Sequence, residues 1–432
     1  MAIGGGTFLT QNKILPGTYI NFVAANRGAV NLSERGYVTM PLFLNWGPVG
    51  EMMEVTAEEF LRNSRTLFGR EYTHPDLRPL RELFSGASVA YLWRLGEEVE
   101  AASCRFGVAR YPGVLGNAIT LAISQTMEGR LLVETFVDGV RVDAQTVFAM
   151  CDLEDNAFII FDRNVELEPI AGIEFTGGTN SEMVAGEYSR YLEESERFAF
   201  NIMACATEDT EIKEMFIRHT RRMREDVGAK FQCVLSHATS ADYEGVISVG
   251  TEAEEEYAGL VYWVAGNSAG CPINRTLTNR RYNGEFTVTD WHTHRDLEQM
   301  LKQGNFMFAV GARGDVRVVE DVNTLQTFDV NRGPDFTMNQ TIRVLDQVAR
   351  DIASLFVNRY LGIIPNDNAG RLSLWSDIVS HHRQLEQIRA IEEFEPQDVV
   401  VEAGETKRAV VVTDRITPVN AMSQLYMTVI VQ

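Results

Sequence analysis

The sequence predicts a multidomain protein of mixed α/β and α+β class, with an all-β insert and a β-strand arm at each end. Three observations lead to this prediction. First, segments with helical periodicity alternate with strand-like segments from about residue 182 to 320. Second, short apolar runs separated by turn residues fill 99–175. Third, both chain ends carry β-forming residues. A chain of 432 residues is too long to fold around a single hydrophobic core, so two to four domains are expected.

Both ends of the chain have the pattern of a strand. From residue 425 onward, alternate side chains would point to opposite faces, with apolar residues on one side and mixed residues on the other. Near the start, the β-forming residues of 15–25 follow a flexible leader, "MAIGGG". Most chain ends are frayed, so two terminal strands need an explanation.

The segment after the first arm has α/β character. Short strands around turns are expected over 37–55, and Thr56 with Glu59 forms a capping box that begins a helix, which Gly69 ends. The pattern then changes at about residue 99 to that of a small β-sandwich, in which "VDGV" (137–140) predicts a hairpin turn.

A boundary is expected at "TGGTNS" (176–181), followed by alternating helices and strands that predict a largely parallel sheet between helices. Helices are expected near 182–196 and over 208–227. A third helix is expected to begin at a capping box of Thr251 and Glu254 and to end at Gly266.

Two amphipathic helices are predicted near the end, over 339–361 and 372–391. Two β segments, 398–404 and 407–418, then lead into the terminal strand. His381 and His382 stand side by side on the second helix and are expected to face different directions, as a solvated or packed pair.

The composition excludes several classes of function. Sixty acidic against 39 basic residues give a net charge of −21, which argues against a nucleic-acid surface and against binding to an anionic membrane. The longest apolar runs are too short to span a bilayer, and no basic-then-apolar leader is found, so synthesis and folding in the cytoplasm are expected. The five cysteines are scattered and form no C-x-x-C pair, so neither a disulfide framework nor a zinc site is expected.

An enzyme is the first alternative. Residues 266–270 match the G-x-S-x-G pattern around Ser268, and Asp290 with His292 or His294 follows in the order of a serine hydrolase triad. However, a helical pattern precedes the serine where a strand is required, so a loop after a helix is the favoured interpretation.

A metal-dependent enzyme is the second alternative. His292 and His294 would share a face of an extended segment near Asp290 and Asp296, but two histidines without a remote partner motif are more typical of an exposed strand or loop. No phosphate-binding glycine motif is found. The sequence therefore predicts no catalytic residue, no metal ligand and no cofactor.

Long stretches of the chain resemble the contractile tail sheath proteins of tailed bacteriophages, phage-like bacteriocins and defective prophages. The segments that carry the resemblance are 4–22, 281–311, 318–328, 339–379 and 417–431. The resemblance implies a structural protein that polymerises as stacked six-membered rings around an inner tube and contracts to drive that tube through a bacterial envelope. It implies a central domain of subtilisin-like fold without proteolytic function, and a β-sandwich on the outside. The implied partners are further copies of the chain, a tail tube protein, and baseplate and tail-terminator proteins.

The resemblance also gives the two arms a purpose, since sheath arms add as strands to sheets of neighbouring subunits. The implied arm strands are Thr18, Tyr19, Ile20, Asn21, Phe22 and Val23, and Leu425, Tyr426, Met427, Thr428, Val429, Ile430 and Val431. It further implies that the C-terminal helices face the tube. The candidate tube-facing residues there are Arg383, Glu386, Arg389, Glu392 and Glu393, for which a solvated helix face is an equal alternative.

The expected division of the chain follows from these patterns and the resemblance together. The expected parts are an N-terminal arm (1–30), an α/β segment (31–98), the β-sandwich (99–177), the subtilisin-like domain (178–335), a C-terminal α+β domain (336–418) and a C-terminal arm (419–432). A generic oligomeric scaffold of another kind is the third alternative.

Overall fold

The computed structural model describes residues 32–96, 99–180, 185–289 and 291–431. Its strands in chain order are β1 (Tyr37–Phe43), β2 (Met52–Thr56), β3 (Val89–Leu95), β4 (Ser103–Cys104), β5 (Gly107–Ala109), β6 (Ile119–Gln125), β7 (Leu131–Val137), β8 (Val140–Val147), β9 (Ile159–Phe161), β10 (Ile170–Glu174), β11 (Ile202–Cys205), β12 (Gln232–Ser236), β13 (Val246–Val249), β14 (Asn305–Phe306), β15 (Phe308–Val310), β16 (Val316–Val318), β17 (Ile391–Glu392), β18 (Val399–Ala403), β19 (Val410–Asp414) and β20 (Thr417–Pro418). The α-helices are α1 (Ala57–Phe68), α2 (Arg78–Phe84), α3 (Ala185–Ser195), α4 (Thr210–Arg222), α5 (Leu260–Gly270), α6 (His294–Lys302), α7 (Asn339–Arg359) and α8 (Asn368–Gln387).

A seven-stranded sheet forms the centre of the molecule, in the order β14-β13-β12-β11-β1-β3-β2. All neighbouring strands in it are parallel except β2, which runs antiparallel to β3. Helices α1, α2 and α5 contribute to the apolar cluster on one face, and α3 and α4 to the cluster on the other. The predicted parallel sheet between helices is confirmed, and one sheet takes its strands from both 37–95 and 202–306.

Helix α1 has both predicted ends. The Thr56 hydroxyl accepts from the Glu59 N–H while the Glu59 carboxylate accepts from the Thr56 N–H, and Gly69 ends the helix in the left-handed region at φ 71°.

Two antiparallel sheets make up the segment between β3 and α3. One has the order β10-β6-β7-β8 and the other β4-β5-β9, and their apolar side chains form a single buried cluster. The predicted hairpin at 137–140 is confirmed, since Asp138 and Gly139 both have positive φ, as a primed two-residue turn requires.

Helix α5 differs from the prediction at both ends. It does not begin at the expected capping box, because the Thr251 hydroxyl accepts from the Phe308 N–H at 2.9 Å and the Glu254 N–H donates to the Thr287 carbonyl at 3.0 Å. It also continues through Gly266 to Gly270. The helix therefore starts and ends later than the sequence indicates.

Close packing explains why these glycines lie inside the helix. A Cβ atom at Gly266 would lie 1.9 Å from the carbonyl oxygen of Leu83, and one at Gly270 would lie 2.0 Å from that of Gly86. The glycines thus let the backbone of α5 approach the end of α2, and neither is a cap.

We expect Gly266→Ala to lower the free energy of unfolding by roughly 1–3 kcal/mol, because the added methyl overlaps a backbone carbonyl that cannot rotate away. The matched control is Gly186→Ala in α3, where a Cβ atom meets nothing within 4 Å. This control should stabilise the protein by up to about 1 kcal/mol through helix propensity. Thermal unfolding followed by circular dichroism measures both, and similar shifts for the two variants would contradict the packing argument.

The two predicted C-terminal helices are confirmed as α7 and α8, and their apolar side chains form one cluster with the strands that follow. The opposite side of α7 is polar and also buried. Its Arg343 donates to Asp321 at 2.6 Å, and its Asp346 accepts two hydrogen bonds from Arg224 at 2.7 and 2.8 Å. Helix α7 is therefore joined to the central part of the molecule by buried ion pairs. Within the described residues, every helix is too short or too polar to span a bilayer.

Candidate assembly surfaces

The terminal segment, residues 422–431, is the largest exposed apolar feature of the chain end. It pairs with no strand among the described residues, and side chains of both alternating faces are exposed: Leu425 by 85% and Tyr426 by 88%. The remaining predicted arm residues, Met427, Thr428, Val429, Ile430 and Val431, are exposed as well. Contiguous exposed apolar side chains of this kind mark interaction sites in soluble proteins.

The C-terminal root, residues 419–421, is held firmly to the body. The Val419 N–H donates to the carbonyl of Ala390 at 3.0 Å, and the Gln340 amide donates to the carbonyl of Val419 at 2.9 Å. The same Gln340 side chain accepts from the Ala421 N–H at 3.1 Å, so one buried amide binds the chain as a strand partner would. Among the described residues beyond Ala421, the hydrogen bond from the Tyr426 hydroxyl to Gln424 is local.

The N-terminal arm strand, Thr18 to Val23, lies outside the described residues. The N-terminal root, residues 32–36, is bound to α7: Ser33 donates to Asp351 from both its N–H and its hydroxyl, and Gln347 donates to the Ser33 carbonyl at 3.0 Å. Helix α7 thus holds the roots of both chain ends, about 10 to 16 Å apart along its axis at 1.5 Å per residue.

Behind the N-terminal root lies a chain of four titratable side chains, which we call the histidine network; Asp351, His381 and His382 in it are buried, whereas Asp414 at its far end is exposed. Its distances are 2.9 Å from Asp351 Oδ2 to His381 Nε2, 3.0 Å between the Nδ1 atoms of His381 and His382, and 2.7 Å from His382 Nε2 to Asp414 Oδ2. Both imidazoles are fully buried, which confirms a packed pair. The expectation that the two rings face different directions is wrong, because both turn inward and meet.

The carboxyl of Asp351 connects this network to the N-terminal root. Burial opposes its ionised form, but hydrogen bonds from His381, Ser33 and Gln347 outweigh burial and lower the pKa of Asp351. The ionised carboxylate is therefore the form that the root requires.

The hairpin of β18 and β19 is the candidate recipient for an added strand. Five residue pairs join the two strands, and within the described residues no third strand pairs with either. Val400, Val411 and Val412 expose their side chains on it. The Trp375 indole donates to the Val399 carbonyl at 2.9 Å and so fixes β18 against α8. An isolated two-stranded sheet is marginally stable and presents open edges.

The candidate tube-facing residues are all exposed, but they do not share a helix. Helix α8 ends at Gln387, so Arg389, Glu392 and Glu393 lie beyond it. Arg389 and Glu393 adopt positive φ values of 60° and 54°, which turn the chain so that β17 can pair with β20. Arg383 and Glu386 remain on α8. Among the described residues, no ion pair joins two of these five.

Ser268 lies inside helix α5 and is fully buried, so no strand-turn-helix elbow is formed. Its carbonyl accepts from the Arg35 guanidinium at 3.3 Å. The sequence-based interpretation of a loop at this serine is wrong, because α5 extends through it.

The other two candidate histidines, His292 and His294, lie outside α5, at the start of α6. His294 is exposed at the first turn of α6, and the capping box of Thr293 and Asp296 uses the Asp296 carboxylate. Asp290 lies outside the described residues. Within the described ranges, no group of three or more His, Cys, Asp or Glu side chains could hold a metal ion. The five cysteines are free.

Three family models match the chain. They are the phage tail sheath C-terminal domain over residues 331–432, the phage tail sheath protein central domain over 182–324, and the tail sheath protein Gp18 domain III N-terminal region over 35–95. The "Phage-like element PBSX protein XkdK" of Bacillus subtilis (strain 168) is 30% identical over 99% of both chains.

Solved structures of sheath proteins are also similar to this chain. The crystal structure of a sheath tail protein (DSY3957) from Desulfitobacterium hafniense matches with a TM-score of 0.83 and 32% identity, covering 95% of this chain and 99% of that one. The helical sheath of the anti-feeding prophage in its contracted state matches with a TM-score of 0.58 and 13% identity, over 97% and 99% of the two chains. The last match is a likeness of fold.

Proposed function

Because this chain belongs to the phage tail sheath family, we propose that it polymerises by strand exchange into stacked six-membered rings around an inner tube and contracts to drive that tube through a bacterial envelope. It is a structural sheath subunit of a phage or phage-like tail and not an enzyme. Its partners are further copies of itself and other tail components.

The observation that carries the strand-exchange proposal is the terminal segment, whose alternating side chains are exposed on both faces while its root is fixed. A strand that adds to an open sheet edge gains backbone hydrogen bonds, and its alternate side chains gain pockets. One such strand binds weakly, but several links for each subunit raise the effective concentration of every other link. Residues 18–23 would supply the second link.

We place the incoming strand on the β18–β19 hairpin of another copy. Within the described residues the hairpin pairs with no third strand, its valines are exposed, and the Trp375 indole joins β18 to α8 through a hydrogen bond. A third or fourth strand would convert a marginal two-stranded ladder into a stable sheet.

The remaining assignments rest on the family. The exposed charges Arg383, Glu386, Arg389, Glu392 and Glu393 would face the tube, where exposed ion pairs are individually weak and so suit a surface that must release. Baseplate and tail-terminator proteins would bind the ends of the array, and assembly would take place in the host cytoplasm. Contraction is supported by the likeness to the contracted anti-feeding prophage sheath.

We also propose two finer assignments of the fold. The seven-stranded sheet with its helices would correspond to a subtilisin-like domain, and the two antiparallel sheets that share one apolar cluster would correspond to the outer β-sandwich. The division of the chain at 30/31, 98/99, 177/178, 335/336 and 418/419 stays a prediction.

Negative-stain electron microscopy of the purified chain tests the proposal, with hollow striated tubes or rings as the expected result. Particles without six-fold rings or tubes would favour a scaffold of another kind.

We expect proline in the terminal segment to prevent these tubes. Successive residues of a strand direct their N–H groups to opposite edges, so at least one of Met427→Pro and Thr428→Pro removes a hydrogen bond to the recipient. Met427→Ala and Thr428→Ala keep the N–H and are the matched controls. Because both side chains are exposed, all four variants should remain folded. Normal tubes from both proline variants would contradict strand exchange through this segment.

A further inference from the structure

We propose that a small inorganic anion of chloride size binds between Arg35 and Arg343, beside the loop that follows α5. The inference goes beyond the proposed function and does not depend on it. It stands on the contacts that link these two guanidinium groups through Cys271, and on the excess positive charge of the side chains around them.

Both guanidinium groups bind the loop 271–275. Arg35 Nε donates to the carbonyl of Cys271 at 3.1 Å, and Arg343 Nη2 donates to the carbonyl of Arg275 at 3.0 Å. The Cys271 thiol donates to the same Arg275 carbonyl, with 3.6 Å between sulfur and oxygen. Because one residue links the two cations, they lie close together.

Arg343 is buried with most of its donors unused. Its side chain is only 1% exposed, and within the described residues its hydrogen bonds all come from Nη2, to Asp321 and to the Arg275 carbonyl. Its Nε and Nη1 atoms are buried and have no partner in the same part of the chain. A buried N–H group loses its hydrogen bond to water, so these atoms indicate a ligand that accepts hydrogen bonds.

Arg35 binds no carboxylate among the described residues. It is partly buried and donates to two carbonyls, those of Cys271 and, at 3.3 Å, Ser268. Burial lowers the pKa of Arg35 to about 9, and the neighbouring charges of Arg343 and Arg350 act in the same direction. An anion beside Arg35 would offset these charges, and the exposed part of the side chain is open to ions from solvent.

The charges of this region do not balance within the described residues. Four arginines face three aspartates: Arg35, Arg224, Arg343 and Arg350 against Asp321, Asp346 and Asp351. The three carboxylates already have partners, since Asp321 accepts from Arg343, Asp346 from Arg224, and Asp351 from Ser33. Lys230 lies near Arg224, and Glu225 and Glu244 offset its charge. One positive charge remains, which a monovalent anion balances.

The Cys271 thiol does not supply the missing negative charge. It is 1% exposed, and burial raises its pKa in spite of the nearby charges of Arg343 and Arg35. The thiol is therefore neutral and acts as a donor. The anion has to come from outside the chain, and it has to be small because Cys271 and Arg343 are both almost fully buried.

Crystals of the full-length chain soaked in sodium bromide test the site directly, because bromide replaces chloride and scatters anomalously. We expect an anomalous peak within hydrogen-bond distance of Arg343 Nε or Nη1. A water molecule in that position, or no density there, would overturn the inference.

Thermal unfolding of the unassembled chain tests the site in solution, in sodium chloride and in sodium gluconate at equal ionic strength. Chloride at saturating concentrations should raise the melting temperature of the wild type by roughly 2 °C for each tenfold increase. Gluconate is too large for the site and should not. In Arg35→Gln, which removes the excess positive charge, the difference between the two salts should disappear. Arg313→Gln, at an exposed arginine, is the matched control and should behave as wild type.

The two measurements together leave a decision in each case. If Arg35→Gln does not fold, the bromide map of the wild type decides. A bromide peak with equal melting temperatures in chloride and gluconate would identify an adventitious ion only and would also overturn the inference. Neither measurement requires tubes, so a failure of the proposed assembly would not change its outcome.

Discussion

Removal of residues 425–432 is expected to abolish long tubes while leaving a folded, soluble subunit. Among the described residues, none of this segment belongs to the apolar clusters of the body, and its side chains are exposed on both alternating faces. Its loss should therefore change the free energy of unfolding by no more than about 0.5 kcal/mol, as for other exposed positions. Every link that it forms with another copy would be lost at once, which removes the gain in effective concentration.

Sedimentation and negative-stain microscopy measure the loss of tubes, and thermal unfolding confirms the fold. Met422→Ser is the matched control, because Met422 is exposed in the same segment but precedes the alternating residues. This control should polymerise as wild type does. A truncated chain that forms long tubes would show that the segment is not an assembly link.

Asp321→Asn is expected to cause the largest loss of stability, about 3–5 kcal/mol, because it leaves the buried cation of Arg343 without its counter-charge. Both side chains are almost fully buried, and the Arg343–Asp321 distance is 2.6 Å. The same carboxylate accepts from the Leu277 N–H at 2.9 Å and from the Asn339 amide at 2.9 Å. The substitution therefore loosens α7 where it meets the central part of the chain.

The dependence of the free energy of unfolding on acid pH should also show the contribution of Asp321. Burial opposes the ionised form of Asp321, but the charge and hydrogen bond of Arg343 outweigh burial and lower the pKa of this carboxyl. The stabilisation is fully present above the usual aspartate value of about 3.9 and is lost as pH falls through the lowered native pKa. Asp321→Asn should flatten this part of the curve.

Thermal unfolding of wild type and Asp321→Asn, at neutral and acid pH, measures both effects. Asp315→Asn is the control, since Asp315 forms an exposed pair with Arg317 and should change nothing measurable at neutral pH. Equal melting temperatures for the two variants would contradict the assigned role of the buried pair.

Periodicity predicted much of the fold. The parallel sheet, the capping box at Thr56, the hairpin turn at Asp138–Gly139 and the helices α7 and α8 all depend on local patterns that tertiary contacts reinforce. The strand pattern after residue 424 stays a prediction, since the segment pairs with no strand among the described residues.

Features set by packing between distant segments could not be predicted. Gly266 has the local pattern of a helix end, and only the carbonyl of Leu83, 183 residues away in sequence, shows why a helix needs glycine there. The meeting of His381 with His382 likewise depends on Asp351 and Asp414, which come from other elements. A signal for the buried polar side of α7 was present, since Gln340, Arg343, Gln347 and Asp351 recur at helical spacing.

In the proposed assembly, the terminal segment leaves its own body and pairs with another copy. A cryo-electron microscopy reconstruction of assembled tubes, at a resolution that traces residues 419–431, measures this directly. We expect backbone hydrogen bonds between residues 425–431 and the β18–β19 hairpin of a neighbouring subunit. Residues 425–431 folded onto their own subunit, without contact to any other copy, would contradict it.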